Sequence, residues 1–579
     1  MVKIPREEYQ LKKLFKKLAM LAIALSLVAC GGSKDSSKGS SDDQTLVVGT
    51  IELSGTFSPA LYTSSYDGWV VDLVYDSLFK YDVDNKLQPS IAEGEEEISE
   101  DGLKATFKLK DNVTFSTGDK LTANDVAFTL KLLADPKYDG RYGPWVQYIE
   151  GYKEYSEGTS EEFSGINVVD DTTIEFTFME ARADNLDGIK IIGIMSENTF
   201  EGYKPGDFEV VKEKVSEPIG SGPYALNKFD AKAGTSLEKR EDYWGDKDSF
   251  GINRIILKAV TETTDYQELE AGKIDLLNGV IQATKVGPAT SNDDLTHNAY
   301  PRAGMGYITY NAGAGATSDE AVRQALTFAF DRKSFVDSYY KCDDCVGLDN
   351  GVGAYVPTTF QNPVSSMGEV VRGDEELSGL ETYDFDLEKA NKILDDAGWV
   401  KGSDGIREKD GQRLEIKILG MEEHDILATI IPMWQKNWKE IGVDVKVTLV
   451  DFNTVLSKVS KDDSKDEWNV FFLANSWTTD TEGDIYSRFH SSQAIDGGDN
   501  YGRLKDAELD ALLDNAAREL DAEKRQEIYK EIAIKLNDLC DVVPVYGNTY
   551  FDIYNTKLNG LETSALHQWA VGISGASVK

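Results

Sequence analysis

The feature that most constrains this chain is one short apolar segment close to its N-terminus. A basic stretch that includes Lys3 and Arg6 precedes an apolar run from Leu18 to Ala29. The run is shorter than the roughly 20 apolar residues that a transmembrane helix needs, and no later stretch reaches that length. A basic stretch followed by a short apolar run is typical of a secretory signal peptide. We therefore predict that residues 1–29 are a signal peptide.

The end of the apolar run carries a second signal. The sequence LVAC at residues 27–30 resembles a bacterial lipobox, in which the cysteine is diacylated and becomes the first residue of the mature protein. The alternative is an ordinary cleaved signal with an incidental cysteine. Residues 31–44 contain no apolar side chain, so they cannot contribute to a core. We expect Cys30 to carry a lipid anchor at the outer face of the cell membrane and residues 30–44 to be a flexible tether.

The rest of the chain is long and acidic. With 579 residues in total, it is too long for one core, and its length predicts two or three lobes. The whole sequence contains 61 Lys and Arg against 101 Asp and Glu, which gives a net charge of −40. Phosphates are bound by clusters of basic residues, so this balance argues against a nucleic-acid partner. The excess of carboxylates fits either a cationic ligand or a solvated acidic surface.

Motifs for catalysis and for metal binding are missing from the sequence. It has no Gly-x-Ser-x-Gly elbow, no His-Glu-x-x-His pair and no phosphate-binding loop. The four histidines stand in unrelated contexts: His297, His424, His490 and His567. The pair Cys342 and Cys345 fits a local disulfide or two free thiols better than a metal site, which needs four ligands, and Cys540 is expected to be buried. We therefore expect a binding protein rather than an enzyme, with no metal and no cofactor.

Apolar alternation and capping residues predict a mixture of strands and helices. Strands are predicted at Leu46–Thr50, Ala105–Leu109, Ile174–Phe178, Leu414–Ile418 and Val443–Leu449. Helices are predicted to begin at Thr122, with Asp125 completing a capping box, at Ser318 and at Asp386, the last ending before Gly398. Because strands and helices do not alternate regularly, we predict an α/β fold with more than one sheet.

Several motifs follow one another in order from about residue 45 to the C-terminus. They are ATFKLKDNVTFS (105–116), LTANDVAF (121–128), GSGPY (220–224), REDYWG (240–245), YN (310–311), VRQAL (322–326), FDR (330–332), DLEKANKILDDAGW (386–399) and DG (410–411). This ordered set is similar to the bacterial family-5 extracellular solute-binding proteins. That group includes the oligopeptide- and dipeptide-binding lipoproteins of ABC importers.

The resemblance implies a fold like the type II periplasmic binding proteins, with two large lobes hinged around a cleft and a smaller inserted domain. Lobe I would combine residues 45–84, 218–301 and 540–579. Residues 85–217 would form the inserted subdomain, and residues 302–539 would form lobe II. The ligand would lie between the lobes, which close on it.

The resemblance also implies candidate ligand residues. The segment NSWTTD (475–480) is similar to the family segment in which an aspartate binds the α-ammonium group of the peptide beside a tryptophan. The candidates are Asp480, Trp477, Asn475 and Asn311. The alternative is that Asp480 lies in a solvent-exposed loop and that Trp477 is a core residue.

The sequence departs from the family pattern on both sides of this segment. Thr481 and Glu482 replace the usual Asp-Pro, and Ala474 stands where some tripeptide binders have an arginine for the ligand carboxylate. The aromatic residues Tyr142, Trp145 and Tyr148 are candidates for the cleft wall or for the core.

These expectations combine into one function. We expect a monomeric lipoprotein that captures short peptides and delivers them to the permease subunits of an ABC transporter. Three alternatives remain open: a lipoprotein that relays a peptide signal to a sensor, a binder of another family ligand such as a nickel chelate, glutathione or a sugar, and an exported enzyme.

Overall fold

The computed structural model describes residues 44–579 apart from residues 231, 233, 344, 347–352 and 423. The predicted signal peptide, Cys30 and nearly all of the predicted tether lie outside the described residues. None of the helices within the described part of the chain is both long and apolar enough to cross a bilayer.

The strands are as follows: β1 (Thr45–Thr50), β2 (Phe79–Tyr81), β3 (Leu87–Pro89), β4 (Glu97–Ile98), β5 (Lys104–Lys108), β6 (Ile166–Asp170), β7 (Thr173–Thr177), β8 (Tyr224–Lys228), β9 (Thr235–Lys239), β10 (Arg254–Ala259), β11 (Leu276–Val280), β12 (Leu295–Tyr310), β13 (Val400–Lys401), β14 (Arg407–Lys409), β15 (Gln412–Arg413), β16 (Glu415–Met421), β17 (Asp444–Val450), β18 (Val470–Ser476), β19 (Val542–Asn555), β20 (Leu558–Asn559) and β21 (Ser577–Val578). Every strand predicted from apolar alternation is confirmed, with bounds shifted by up to a few residues.

The helices are as follows: α1 (Ser65–Val74), α2 (Ala123–Leu133), α3 (Tyr152–Ser156), α4 (Asp187–Ile191), α5 (Glu209–Lys212), α6 (Asp265–Glu270), α7 (Ala283–Thr290), α8 (Glu320–Phe328), α9 (Arg332–Tyr339), α10 (Gly368–Arg372), α11 (Leu387–Asp396), α12 (Asp425–Glu440), α13 (Phe452–Val459), α14 (Gly483–Phe489), α15 (Ala507–Arg518), α16 (Ala522–Leu539) and α17 (Trp569–Gly572).

A ten-stranded mixed sheet runs through the molecule in the order β17-β16-β18-β12-β19-β11-β1-β10-β9-β8. Strand β1 pairs parallel with β10 and β11, and β16 pairs parallel with β17 and β18. The other neighbours are antiparallel. A separate four-stranded sheet, in the order β4-β5-β7-β6, lies within the predicted inserted subdomain. The prediction of an α/β fold with more than one sheet is confirmed.

The two long strands β12 and β19 connect the halves of the large sheet. Their pairing shifts register between Pro301 and Met305 and again after Gly306. Irregularities of this kind bend a strand and increase its twist. The first shift coincides with the predicted boundary between lobe I and lobe II at residue 301, so these strands are the connection about which we expect the lobes to move.

The apolar side chains form two large clusters. One contains Trp69, Phe107 and Phe176 and extends from β1 through the four-stranded sheet to the C-terminal helix α17. The other contains Trp434 and Phe471 and covers most of the predicted lobe II, together with α7 and β11. The inserted subdomain therefore shares a core with the N-terminal part of lobe I, and the lobe boundaries themselves stay a prediction.

Two of the predicted helix caps are confirmed and one is wrong. The Asp125 carboxylate accepts the backbone N–H of Thr122 at 2.8 Å, and the Asp386 carboxylate accepts that of Lys389 at 2.9 Å. Helix α8 is capped by Asp319 and not by Ser318, because the Ser318 hydroxyl donates to the Gly315 carbonyl of the preceding turn. The Asp319 carboxylate instead accepts the backbone N–H of Ala321 in the first turn of the helix.

Of the two alternatives for Cys342 and Cys345, a local disulfide or two free thiols, the structure has the disulfide. Cys342 and Cys345 are joined by a disulfide. Cys540 is a buried free thiol at the end of α16. Its Sγ lies 3.2 Å from the hydroxyl of Thr327.

Candidate ligand-binding cleft

A partly open cavity of about 190 Å³ lies where the predicted lobes meet, and we call it the main cavity because of the residues that line it and not because of its size. Helix α1 lines one side with Val71 and Asp72, and the short strand β2 adds Tyr81. Trp145 faces it from the predicted inserted subdomain, and Trp477 faces it from the predicted lobe II. Side chains from all three predicted parts of the protein therefore surround a single space.

Trp477 combines the two roles that the sequence left open. It is 3% exposed and its ring packs 5.6 Å from that of Phe360, as a core residue does. It also lines the main cavity, and its indole N–H has no acceptor among the described residues. The indole nitrogen is itself fully buried, so Trp477 lines the cavity with other atoms of its side chain.

Asp480 lies in the loop after β18 and joins the two sides of the cleft. Its carboxylate accepts the Tyr81 hydroxyl at 3.0 Å, and its own backbone N–H donates to the same hydroxyl oxygen at 3.2 Å. The amide of Asn362 holds the loop by donating to the carbonyls of Thr479 and Thr481 at 2.7 and 3.0 Å. Asp480 is therefore not in a free solvent-exposed loop.

The opposite side of Asp480 faces a second cavity of about 240 Å³, which we call the acidic cavity. Asp184, Asp187 and Glu482 line it together with Asp480, and Arg525 is the one basic residue among the described residues that line it. Tyr81 lines the main cavity, so the contact between Tyr81 and Asp480 stands between the two spaces.

The residues that depart from the family pattern have local partners. The Thr481 hydroxyl donates to Asp187 at 2.6 Å, across the cleft. The Glu482 carboxylate accepts the backbone N–H of Asn362 at 3.1 Å and the hydroxyl of Ser365. Burial raises the pKa of Asp187 to about 7 and that of Glu482 to about 8. A positive charge placed near these carboxylates would be stabilised.

Asn475 and Asn311 have different environments. The Asn475 side chain accepts the backbone N–H of Met305 at 3.3 Å, while its buried amide nitrogen has no acceptor among the described residues. The Asn311 amide donates to the carbonyls of Lys465 and Trp468 and accepts from Gly313, so both of its N–H groups are used within the protein.

The position of Asn311 in the sheet separates it from the other candidates. The antiparallel pairing of β12 with β18 sets Gly304 opposite Ser476 and Tyr310 opposite Val470. Asn311 therefore lies beyond the far end of β18, roughly 20 Å from Asn475 at about 3.3 Å per residue. The structure groups Asn475, Trp477 and Asp480 and leaves Asn311 apart, as a residue that fixes the local backbone.

Two of the three aromatic candidates line the main cavity, and the third packs elsewhere in the protein. Tyr142 and Trp145 line the main cavity, with ring centroids 4.4 Å apart, and Tyr62 packs 5.6 Å from Tyr142. Tyr148 is engaged elsewhere, under the Arg182 guanidinium at 4.0 Å. Sequence reasoning missed Tyr62, Tyr81 and Asp72. Only Asp72 left a signal, because it interrupts an apolar stretch of α1.

Among the described residues, no group of three or more His, Cys, Asp or Glu side chains is arranged to hold a metal ion. A cavity that is lined from each of the predicted lobes and from the predicted inserted subdomain fits the architecture of a solute-binding protein. The sequence pattern of the bacterial extracellular solute-binding proteins, family 5 Middle, matches residues 86–496, and the chain belongs to this family.

Known proteins of this family resemble the chain over most of its length. Oligopeptide-binding protein AppA of Bacillus subtilis is 26% identical over 526 residues, which is 89% of this chain and 90% of AppA. A lactococcal OppA, solved with an endogenous peptide in the closed conformation, superposes with a TM-score of 0.77 at 19% identity, covering 92% of this chain and 100% of OppA. NikZ of Campylobacter jejuni, solved with Ni(L-His), superposes with a TM-score of 0.73 at 23% identity, covering 92% of this chain and 99% of NikZ.

Glu482 yields a prediction about pH. Its pKa is about 8 in the folded protein against an ordinary 4.5, so the folded state binds the proton more tightly. Stability should therefore fall as pH rises from about 4.5 to 8, by up to ~1.4 kcal/mol per pH unit. Glu482→Gln keeps an acceptor for the backbone N–H of Asn362. It should remove the contribution of Glu482 to the fall of the unfolding free energy with pH.

The measurement is urea unfolding of both proteins between pH 5 and 8. The exposed Glu531→Gln is the matched control and should leave the slope unchanged. An identical pH dependence in wild type and Glu482→Gln would show that Glu482 is ionised in the folded protein.

Proposed function

We propose that this solute-binding protein captures short peptides in the cleft and delivers them to the permease of an ABC importer, without converting them chemically. The observation that carries the proposal is the Asp480 carboxylate at the point where the two sides of the cleft meet. The names of AppA and of the peptide-bound OppA support the same ligand class.

Asp480 would hold the α-ammonium group of the peptide. Its carboxylate now receives one side-chain donor, the neutral Tyr81 hydroxyl, and an ammonium group is a stronger donor to a carboxylate. The neighbouring carboxylates of Asp184 and Asp187 favour the same cation. Every peptide has one α-ammonium group, so this contact selects peptides without reading their side chains.

The opposite end of the ligand would be held less firmly. Ala474 lies in β18, paired with Gly306, and offers no charge to a ligand carboxylate. Peptides of different lengths should therefore be accepted. Trp477 would pack along the backbone or the first side chain of the bound peptide.

The Asp480 contact is tested by removing either charge. Asp480→Asn should weaken the binding of a free-amine peptide by about 2–5 kcal/mol, because one partner of a buried charge pair is lost. N-acetylation of the peptide should weaken binding to the wild type similarly and binding to the variant little further. Isothermal titration calorimetry measures both effects.

Asp293→Asn removes an equal charge from an exposed position and serves as the control. If acetylated and free-amine peptides bind the wild type equally well, Asp480 is not the amine anchor and the peptide assignment fails. Turnover of the bound peptide by the purified protein would contradict the absence of catalysis.

We also propose that Cys30 anchors the mature protein to the outer face of the membrane. The support is the LVAC sequence at residues 27–30 and the polar stretch behind it. Two acyl chains give stable anchoring where one gives only marginal binding, at about 0.8 kcal/mol per buried methylene group.

Cys30→Ser should therefore release the protein into the medium or block its processing, as cell fractionation and intact mass would show. Ser36→Ala in the same stretch is the control. Membrane retention with the wild-type mature mass would rule out the anchor.

A further inference from the structure

Asp72 is a carboxylate without a bonding partner in the wall of the main cavity. It lies on α1 between the buried residues Val71 and Leu73 and lines the cavity. It forms no hydrogen bond or ion pair with any described residue. Burial raises the pKa of Asp72 to about 6. Carboxylates in such surroundings are normally paired.

The nearest cation is already engaged elsewhere. Lys80 reduces the effect of burial on Asp72, but its ammonium bonds to Asp76 at 2.5 Å. Asp76 also accepts the indole N–H of Trp244 at 2.8 Å. The Lys80 ammonium therefore bonds to Asp76 and not to Asp72, and none of the described residues donates a hydrogen bond to the Asp72 carboxylate.

Two basic residues line the main cavity together with Asp72, namely Lys80 and Arg141. Arg141 donates to the Tyr142 hydroxyl at 2.6 Å and lies over the rings of Tyr62 and Tyr142 at 5.2 and 4.8 Å. Burial raises the pKa of Tyr62 most, Asp72 adds to the rise and Arg141 opposes it. With Lys80 bonded to Asp76 and Arg141 held by the aromatic wall, Asp72 is the carboxylate of this lining that a positive ligand group would meet.

The rest of the lining suits a basic side chain. Trp477, a residue 3% exposed, lines the cavity together with the apolar residues Val71, Ile192 and Val571. Apolar lining beside a carboxylate suits an aliphatic stem with a charged tip.

We infer that Asp72 binds a basic group of the ligand, so that the protein prefers peptides with a lysine or arginine side chain in the main cavity. The inference rests on the proposed peptide function. The basic group at Asp72 is a side chain, because the α-ammonium group is taken by Asp480 on the far side of Tyr81. Asp72 is then a specificity-determining residue.

The test uses synthetic alanine pentapeptides in which lysine replaces alanine at each position in turn. Matched peptides carry norleucine, which keeps the aliphatic stem, or Nε-acetyl-lysine, which keeps the length without the charge. At one position, calorimetry with the wild type should show that the lysine peptide binds about tenfold or more tightly than the norleucine and the acetyl-lysine peptides. Asp72→Asn should abolish the preference, with the affinity for the all-alanine peptide measured on the same variant as the reference.

The control Asp84→Asn removes an equal charge from an exposed position of the same lobe and should keep the preference. Thermal unfolding separates a ligand role from a structural one. Asp72→Asn replaces a carboxylate that no described residue pairs, so the variant should be at least as stable as the wild type. Loss of a structural pair would instead lower the melting temperature.

The outcomes are distinguishable from those of the proposed function. If the all-alanine peptide fails to bind the wild type, peptide capture itself is wrong. If it binds but lysine, norleucine and acetyl-lysine are equivalent at every position, the role of Asp72 is wrong. If Asp72→Asn instead removes the effect of N-terminal acetylation, Asp72 binds the α-ammonium group and the side-chain assignment is overturned.

Discussion

The arrangement of the cleft depends on the contact between the Tyr81 hydroxyl and Asp480. The hydroxyl donates to the carboxylate and accepts from the backbone of the same residue, so a single side chain on β2 fixes a loop that belongs to the other side of the cleft. A ligand ammonium group reaching the same carboxylate would strengthen this junction. Binding energy can in this way favour the closed form over the open one, which is what an importer needs to recognise a loaded protein.

Around this junction the protein places several carboxyl groups. Asp184, Asp187 and Glu482 line the acidic cavity, and Asp72 lines the main cavity. Burial raises the pKa of three of these, Asp72, Asp187 and Glu482, because ionising a buried carboxyl group is costly. A cationic ligand in the cleft would lower that cost for the carboxyl groups that it contacts.

The sequence predicted the regular elements better than the site. Period-two alternation located strands such as β5 and β17, because one face of each packs against a core and that pattern is local. Helix capping succeeded at Asp386 and failed by one residue at Ser318, since a hydroxyl facing Gly315 cannot be foreseen from spacing. The grouping of Asn475 with Trp477 and Asp480 follows from their adjacency in the chain.

The parts of the site that depend on distant contacts were not predictable. Nothing in the sequence FKY of β2 indicates that Tyr81 meets a residue almost 400 positions later. Asn311 was carried over from a motif, and only the pairing of β12 with β18 shows that it lies at the far end of the strand. Asp72 was detectable in principle as a charge within an apolar helix face, but its lack of a partner appears only when the packing around it is known.

The measurement that tests this account most directly is mass spectrometry of the molecules retained by the protein purified from its own host. The intact complex is weighed under native conditions, and the released molecules are sequenced after denaturation. The account predicts a mixture of short peptides of several lengths with free N-termini. A single non-peptide ligand, such as a metal chelate or a haem, would contradict it.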